Sequence, residues 1–129
     1  DGWLMLAKSH QVLGQPEKQR EALRRALEIA PNNPNIIGRL ARAILNGNRE
    51  ADKLPSASVK LFERVLKLDE DNTEALYFVG LAKAQNGEIS LARIKWTKLL
   101  SKLDVESRAH ELVQQQLNRL PNNLKVQSK

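Results

Sequence analysis

Cysteine is absent from the 129 residues, so no disulfide, thiolate metal site or thiol nucleophile belongs to this chain. Aromatics are scarce, with two tryptophans, one tyrosine and two phenylalanines. That is thin material for a surface that stacks single-stranded bases. No apolar run approaches the roughly 18 residues that suggest a membrane helix, and no secretory signal is visible. The chain opens Asp1-Gly2-Trp3 without an initiator methionine and enters an ordered pattern at once. We read it as a piece of a longer protein, so a missing anchor or signal here says nothing about the parent. The fragment itself is expected to make no membrane contact, although its parent is expected to be membrane-anchored or exported. Charge of one sign is not concentrated either. Twenty-one basic and 15 acidic residues leave +6, with no block of five like charges. A nucleic-acid surface wants a basic stripe, so nucleic acid is not an expected partner.

Catalytic constellations are also missing. His10 and His110 fall on different segments, with no His-x-x-x-His or Glu-x-x-His pairing beside them. The run Asp69-Glu70-Asp71 lacks the glycine and terminal glutamate of a calcium loop. Gly14, Gly80 and Gly87 fit no phosphate-loop spacing. Nothing resembles a nucleophile elbow or triad. The expectation is a chain that is not an enzyme, with no cofactor and no metal.

Present instead are good helix formers in abundance, Leu, Ala, Lys, Arg, Glu and Gln, with β-branched residues scattered rather than alternating. The class is all-α. Helices are expected over about 2–13, 17–30, 34–46, 56–68, 73–86, 88–102 and 105–120. Gly14 suits a left-handed helix end, Pro31 stops the second helix, and Asn33-Pro34 caps and opens the third. The last helix carries Val105, Ala109, Leu112, Val113, Leu117 and Leu120 on one stripe.

Three segments repeat one pattern. They run Trp3-x-x-Leu6-Ala7, Ile37-x-x-Leu40-Ala41 and Leu76-x-x-Val79-Gly80, and Gly14 and Gly87 each follow their anchor by eleven residues. Each segment closes with a second amphipathic run, at Leu23 and Ala26, Phe62 and Val65, then Trp96 and Leu99. The first two anchors lie 34 residues apart and the next two 39, the surplus falling in an insertion at 47–55. Both tryptophans occupy positions that pack helix on helix, so they are read as core anchors. Loss of Trp96 is expected to cost about 3–5 kcal/mol.

The pattern resembles the tetratricopeptide repeat. It implies a right-handed superhelix of three antiparallel helix pairs plus a C-terminal capping helix. The divisions are repeat one at 1–33, repeat two with its insertion at 34–72, repeat three at 73–104 and the cap at 105–120. Residues 1–121 form one domain in this reading, and 122–129 a flexible tail. In that family the first helix of each repeat lines a peptide-binding groove. Carried over, the lining is Leu4, Lys8, Gln11 and Val12, then Gly38, Arg42, Leu45 and Asn46, then Tyr77, Leu81, Ala84 and Gln85. Leu4, Leu45, Tyr77, Leu81 and Ala84 would form an apolar trough, with Gly38 leaving room and Lys8 and Arg42 adding cations. Such a trough suits an amphipathic helix bearing an acidic side chain or a terminal carboxylate.

The opening segment 1–7, the lengthened second repeat, Tyr77-Phe78-Val79-Gly80-Leu81-Ala82 and Ile94-Lys95-Trp96 before a final helix occur together. That combination resembles the periplasmic repeat domain of bacterial cytochrome c maturation factors of the CcmI/CycH/NrfG type. The resemblance implies a chaperone-like adaptor of the haem lyase complex. Its partners would be apocytochrome c, captured through its C-terminal helical segment, and other cytochrome c maturation subunits. His10, where a bulkier aromatic is common, and Gln19, where Ala is usual, depart from the pattern. The alternative is a general repeat scaffold or co-chaperone-like adaptor for another partner's C-terminal peptide. Lys8, Arg42 and Asn46 supply only part of the polar pattern that such an adaptor wants.

Overall fold

The computed structural model describes residues 2–48 and 52–121. Among them are seven helices and no strand: α1 Gly2–Val12, α2 Pro16–Ile29, α3 Pro34–Asn46, α4 Ser56–Leu68, α5 Thr73–Gln85, α6 Ile89–Lys102 and α7 Arg108–Arg119. Two compact units divide the chain, Asp1–Glu70 with α1 to α4 and Asp71–Lys129 with α5 to α7. Within the first, α1 pairs with α2 and α3 with α4, while α2 packs on α3. Within the second, α5 pairs with α6 and α7 packs on α6. Of the insertion, residues 49–51 lie outside the described residues, as do Asp1 and the expected tail at 122–129.

The glycines eleven residues after the first and third anchors have a shared purpose. Gly14 has φ +68° and Gly87 φ +79°, a region that costs an L side chain about 1–2 kcal/mol. Gly14 N–H donates to Gln11 O at 3.1 Å and Gln15 N–H to His10 O at 2.8 Å. Gly87 N–H donates to Ala84 O at 3.1 Å and Glu88 N–H to Lys83 O at 2.8 Å. Both are Schellman ends, in which one left-handed residue satisfies two orphan carbonyls. A side-chain contact spans each turn at the same two positions: His10 Nδ1 meets Gln15 Oε1 at 2.7 Å, and Lys83 Nζ meets Glu88 Oε1 at 3.8 Å. His10 therefore braces a turn. Gly47, in the lengthened repeat, keeps a right-handed φ of −78°.

Helix starts follow their caps. Asn33 Oδ1 accepts from Asn35 N–H at 3.0 Å and from Ile36 N–H at 3.4 Å, with Pro34 at the first position. Asn72 Oδ1 accepts from Ala75 N–H at 2.9 Å. The last helix begins three residues later than its apolar stripe suggests. Asp104 Oδ1 accepts from Glu106 N–H at 3.0 Å, making a turn, and Ser107 Oγ then caps His110 N–H at 3.1 Å. Val105 is consequently outside the helix and 75% exposed, not part of the stripe, of which Val113 and Leu117 are the buried members.

Each helix pair closes by matching a large residue to a small one. Leu23, Phe62 and Trp96 occupy one position of the second helices and are all buried; the repeat sets them opposite Ala7, Ala41 and Gly80 of the first helices. As the second-helix side chain grows to tryptophan, its opposite number shrinks to glycine. A Cβ at Gly80 would fall 2.6 Å from Trp96 Cδ1. This close approach lets the buried indole N–H donate to Tyr77 O at 3.1 Å, with the Tyr77 ring lying over it at 6.0 Å and 20°. In the first unit the buried Ser58 hydroxyl donates to Ala41 O at 3.0 Å. Trp96 is the core anchor that the repeat predicts. Trp3 is not: it stays 37% and Leu6 42% exposed, whereas their counterparts Ile37 and Leu40 on α3 are buried. In the first unit α3 lies between α2 and α4, and among its main packing partners α1 has only α2.

Candidate functional site

The repeat's first helices carry most of the polar residues that the sequence singles out, and α1 and α3 bring four of them together. Lys8, Gln11, Arg42 and Asn46 line one pocket of about 290 Å³ within the first unit, over a floor of Ala7, Leu23 and Ala43. Helical spacing explains the convergence. Lys8 and Gln11 lie one turn apart on α1, Arg42 and Asn46 one turn apart on α3, and α2 lies beneath them. Two further residues complete the lining, Gln19 from α2 and Arg39 from α3. Among the described residues the walls thus hold three cations and three carboxamides. Arg39 and Gln19 are half-buried, while Lys8 and Arg42 reach solvent.

The other first-unit candidates are placed differently. Leu4 is half-buried and packs on the core cluster of Ala7, Ala22, Leu23, Leu40 and Ala43. Gly38 is buried, Leu45 is half-buried, and neither lines the pocket. Val12 is 78% exposed.

The second unit presents a contrasting cavity of about 350 Å³ between α5, α6 and α7. Tyr77 lines it with Leu99, Leu103, Ala109, Leu112 and Val113, and Thr73, Glu74 and Gln116 are its polar members. Gln116 Nε2 donates to the Tyr77 hydroxyl at 3.3 Å, fixing the ring at the wall. Leu112 remains 45% exposed beside it. Leu81, Ala84 and Gln85 are half-buried on α5 and do not line this cavity.

Gln19, Arg39 and the α7 wall escaped the sequence reading. Gln19 left a trace: it stands where the other two repeats place Ser58 and Ala92, both buried. A long amide at a position that closes two helices is a poor packing choice, and that misfit was the available signal. The α7 residues left none, because the groove pattern concerns first helices in complete pairs. Among the described residues no group of three or more His, Cys, Asp or Glu side chains converges as a metal site would need. None of the described helices is long and apolar enough to cross a membrane.

Antiparallel helix pairs closed by large-to-small contacts, with a polar pocket in the first unit, define a tetratricopeptide-type interaction domain. A solved structure, the MamA protein, shares this fold at TM-score 0.69 and 19% identity, over 89% of this chain and 62% of that one. The sequence itself goes further. Residues 1–110 match the family described as "Cytochrome c-type biogenesis protein H TPR domain", and the chain belongs to that family. It is 32% identical over 120 residues to the "Cytochrome c-type biogenesis protein CycH" of Bradyrhizobium diazoefficiens, a match that covers 92% of this chain. The chain spans about a third of that relative's length, the match covering 32% of it. The family and this relative are both described by cytochrome c-type biogenesis.

Proposed function

We propose that this chain is a non-catalytic peptide-binding module that captures apocytochrome c through its C-terminal helical segment and holds it for haem attachment. Other maturation subunits perform the haem chemistry, and the setting is the periplasm. The observation that carries the reading is the convergence of Lys8, Gln11, Arg42 and Asn46 from two first helices in one pocket, in a chain of the cytochrome c biogenesis repeat family. The apolar cavity of the second unit supplies the complementary ingredient, since an amphipathic helix is held by its apolar anchors. Exposed cations contribute about 0.2–1 kcal/mol apiece, so most affinity comes from apolar contacts, and the charges set orientation and association rate. The residues proposed to face the peptide are Lys8, Gln11 and Arg42 in the first unit and Tyr77 with Leu112 in the second.

Calorimetric titration with C-terminal helical peptides of c-type cytochromes, against scrambled controls, tests the reading. Micromolar or tighter binding confined to the true sequences is expected. Equal binding of scrambled peptides, or none at all by folded protein, refutes it.

A further inference from the structure

The first helix, α1, carries an apolar face that its packing on α2 does not use. Lys8 is the one Lys, Arg, Asp or Glu between Gly2 and Val12, and among its main packing partners α1 has only α2. Ala7 is its buried residue and packs with Ala22 and Leu23 of α2. On the opposite side of the helix lie Gly2, Met5, Ser9 and Val12, all exposed, Met5 at 73% and Val12 at 78%. Leu6, on the same helix, and Leu13, just past its end, flank them and are exposed too. A helix that is apolar nearly all round is built for burial, and contiguous exposed apolar residues mark an interaction surface. The repeat pattern alone does not call for them. Thirty-four residues on, α3 has Arg39 and Asn46 where α1 has Met5 and Val12.

The spacing of the face indicates what covers it. Gly2, Met5, Ser9 and Val12 step by three, four and three residues, the seam along which two helices pack. Small and large residues alternate along it, symmetrically about the middle of the helix. Laid antiparallel on a second α1 about a two-fold axis, Gly2 meets the other copy's Val12, and Met5 meets its Ser9. Large-to-small matching is also how this chain closes its own helix pairs, as Trp96 does over Gly80. A Cβ on Gly2 would meet nothing within 4 Å, so no contact among the described residues calls for glycine there, whereas a closely approaching helix does. Charge agrees. A two-fold contact sets a patch against its own copy, and a chain of net charge +6 tends to repel itself. This face holds no charged residue. We propose that α1 is a homodimerisation element, in which two copies of this chain pair antiparallel through the Gly2, Met5, Ser9 and Val12 seam, with Leu6 and Leu13 at its rim. Eleven residues give the helix a length of about 16 Å, so the contact is at the small end of specific interfaces and the dimer forms with rising concentration. The proposal is independent of the peptide-binding reading.

Sedimentation equilibrium of this chain from about 1 μM to about 1 mM tests it, and a monomer–dimer equilibrium within that range is expected. Met5→Lys with Val12→Lys changes two exposed residues, so the fold should survive, with circular dichroism as the check. That double variant should dimerise at least about tenfold more weakly. Ile94→Lys, at a position of α6 that is 61% exposed, is the control and should dimerise like the parent. Because the chain has no cysteine of its own, introduced thiols report the register. Under oxidation, Met5→Cys chains mixed with Ser9→Cys chains should cross-link to each other, and neither should cross-link to itself. A parent that stays monomeric up to about 1 mM overturns the proposal and leaves the face to a different protein. Undiminished dimerisation of the double lysine variant overturns it as well. Equal weakening by Ile94→Lys would make the association diffuse, and self-linked Met5→Cys chains would make it parallel; either result sinks the antiparallel seam.

Discussion

Replacing Gly80 by alanine should be more damaging than a methyl on a helix usually is. A Cβ there would fall 2.6 Å from Trp96 Cδ1, and the indole is 1% exposed, with little space to retreat into. Overpacking of this kind costs about 1–3 kcal/mol. Displacing the ring also breaks the 3.1 Å bond from its N–H to Tyr77 O, and a buried donor left unpaired costs about 1–3 kcal/mol. Alanine's better helix propensity returns about 1 kcal/mol. The net loss is about 3 kcal/mol, which for a domain of this size lowers the melting temperature by about 10 °C. Thermal unfolding followed by circular dichroism measures it. The chain itself provides the compensating pair, since the equivalent positions of α3 and α4 are Ala41 and Phe62. Gly80→Ala in a Trp96→Phe background should therefore cost less than about 1 kcal/mol, a coupling of about 2 kcal/mol in a double-mutant cycle. If Gly80→Ala alone melts at or above the parent temperature, propensity outweighs packing and the account of this helix pair is wrong.

Asn33→Ala removes an acceptor for two amides of α3 and should lower stability by about 1 kcal/mol in urea unfolding, with Asn72→Ala on α5 behaving alike. Gly87→Ala places a side chain at φ +79° and should cost about 1–2 kcal/mol, while Gly47→Ala, at φ −78°, carries no such backbone strain; equal losses would remove the turn argument. Lys98 and Lys102 both reach Asp71, at 3.7 and 3.3 Å, but all three side chains are well exposed, so Asp71→Asn should change the unfolding free energy by less than about 1 kcal/mol. Leu112→Asp, on the wall of the second unit's cavity and 45% exposed, should weaken cytochrome peptide binding severalfold with helicity intact; unchanged affinity would take that cavity out of the binding surface.

Local signals were enough to determine the helices. Propensity, the Pro and Asn caps and the two glycines act within a turn of the residues they affect, so α3, α4 and α5 could be placed within about a residue and the last helix missed only where Asp104 and Ser107 intervene. The repeat pattern likewise carried the tetratricopeptide class and the role of Trp96, because an anchor and its small partner recur at fixed spacing. Tertiary structure decided what spacing cannot encode. Equivalent repeat positions differ in burial: Ile37, on α3 between α2 and α4, is buried, whereas Trp3 on α1 is 37% exposed. It also decided which groove candidates meet. Lys8, Gln11, Arg42 and Asn46 converge because α1 and α3 both pack on α2, whereas Leu4 at its own groove position packs on the core. Gln19 joined them from a position that the repeat assigns to packing, and Arg39 from one to which it assigns no role. Periodicity names the face a residue occupies, and only the packed helices settle which faces share a cavity.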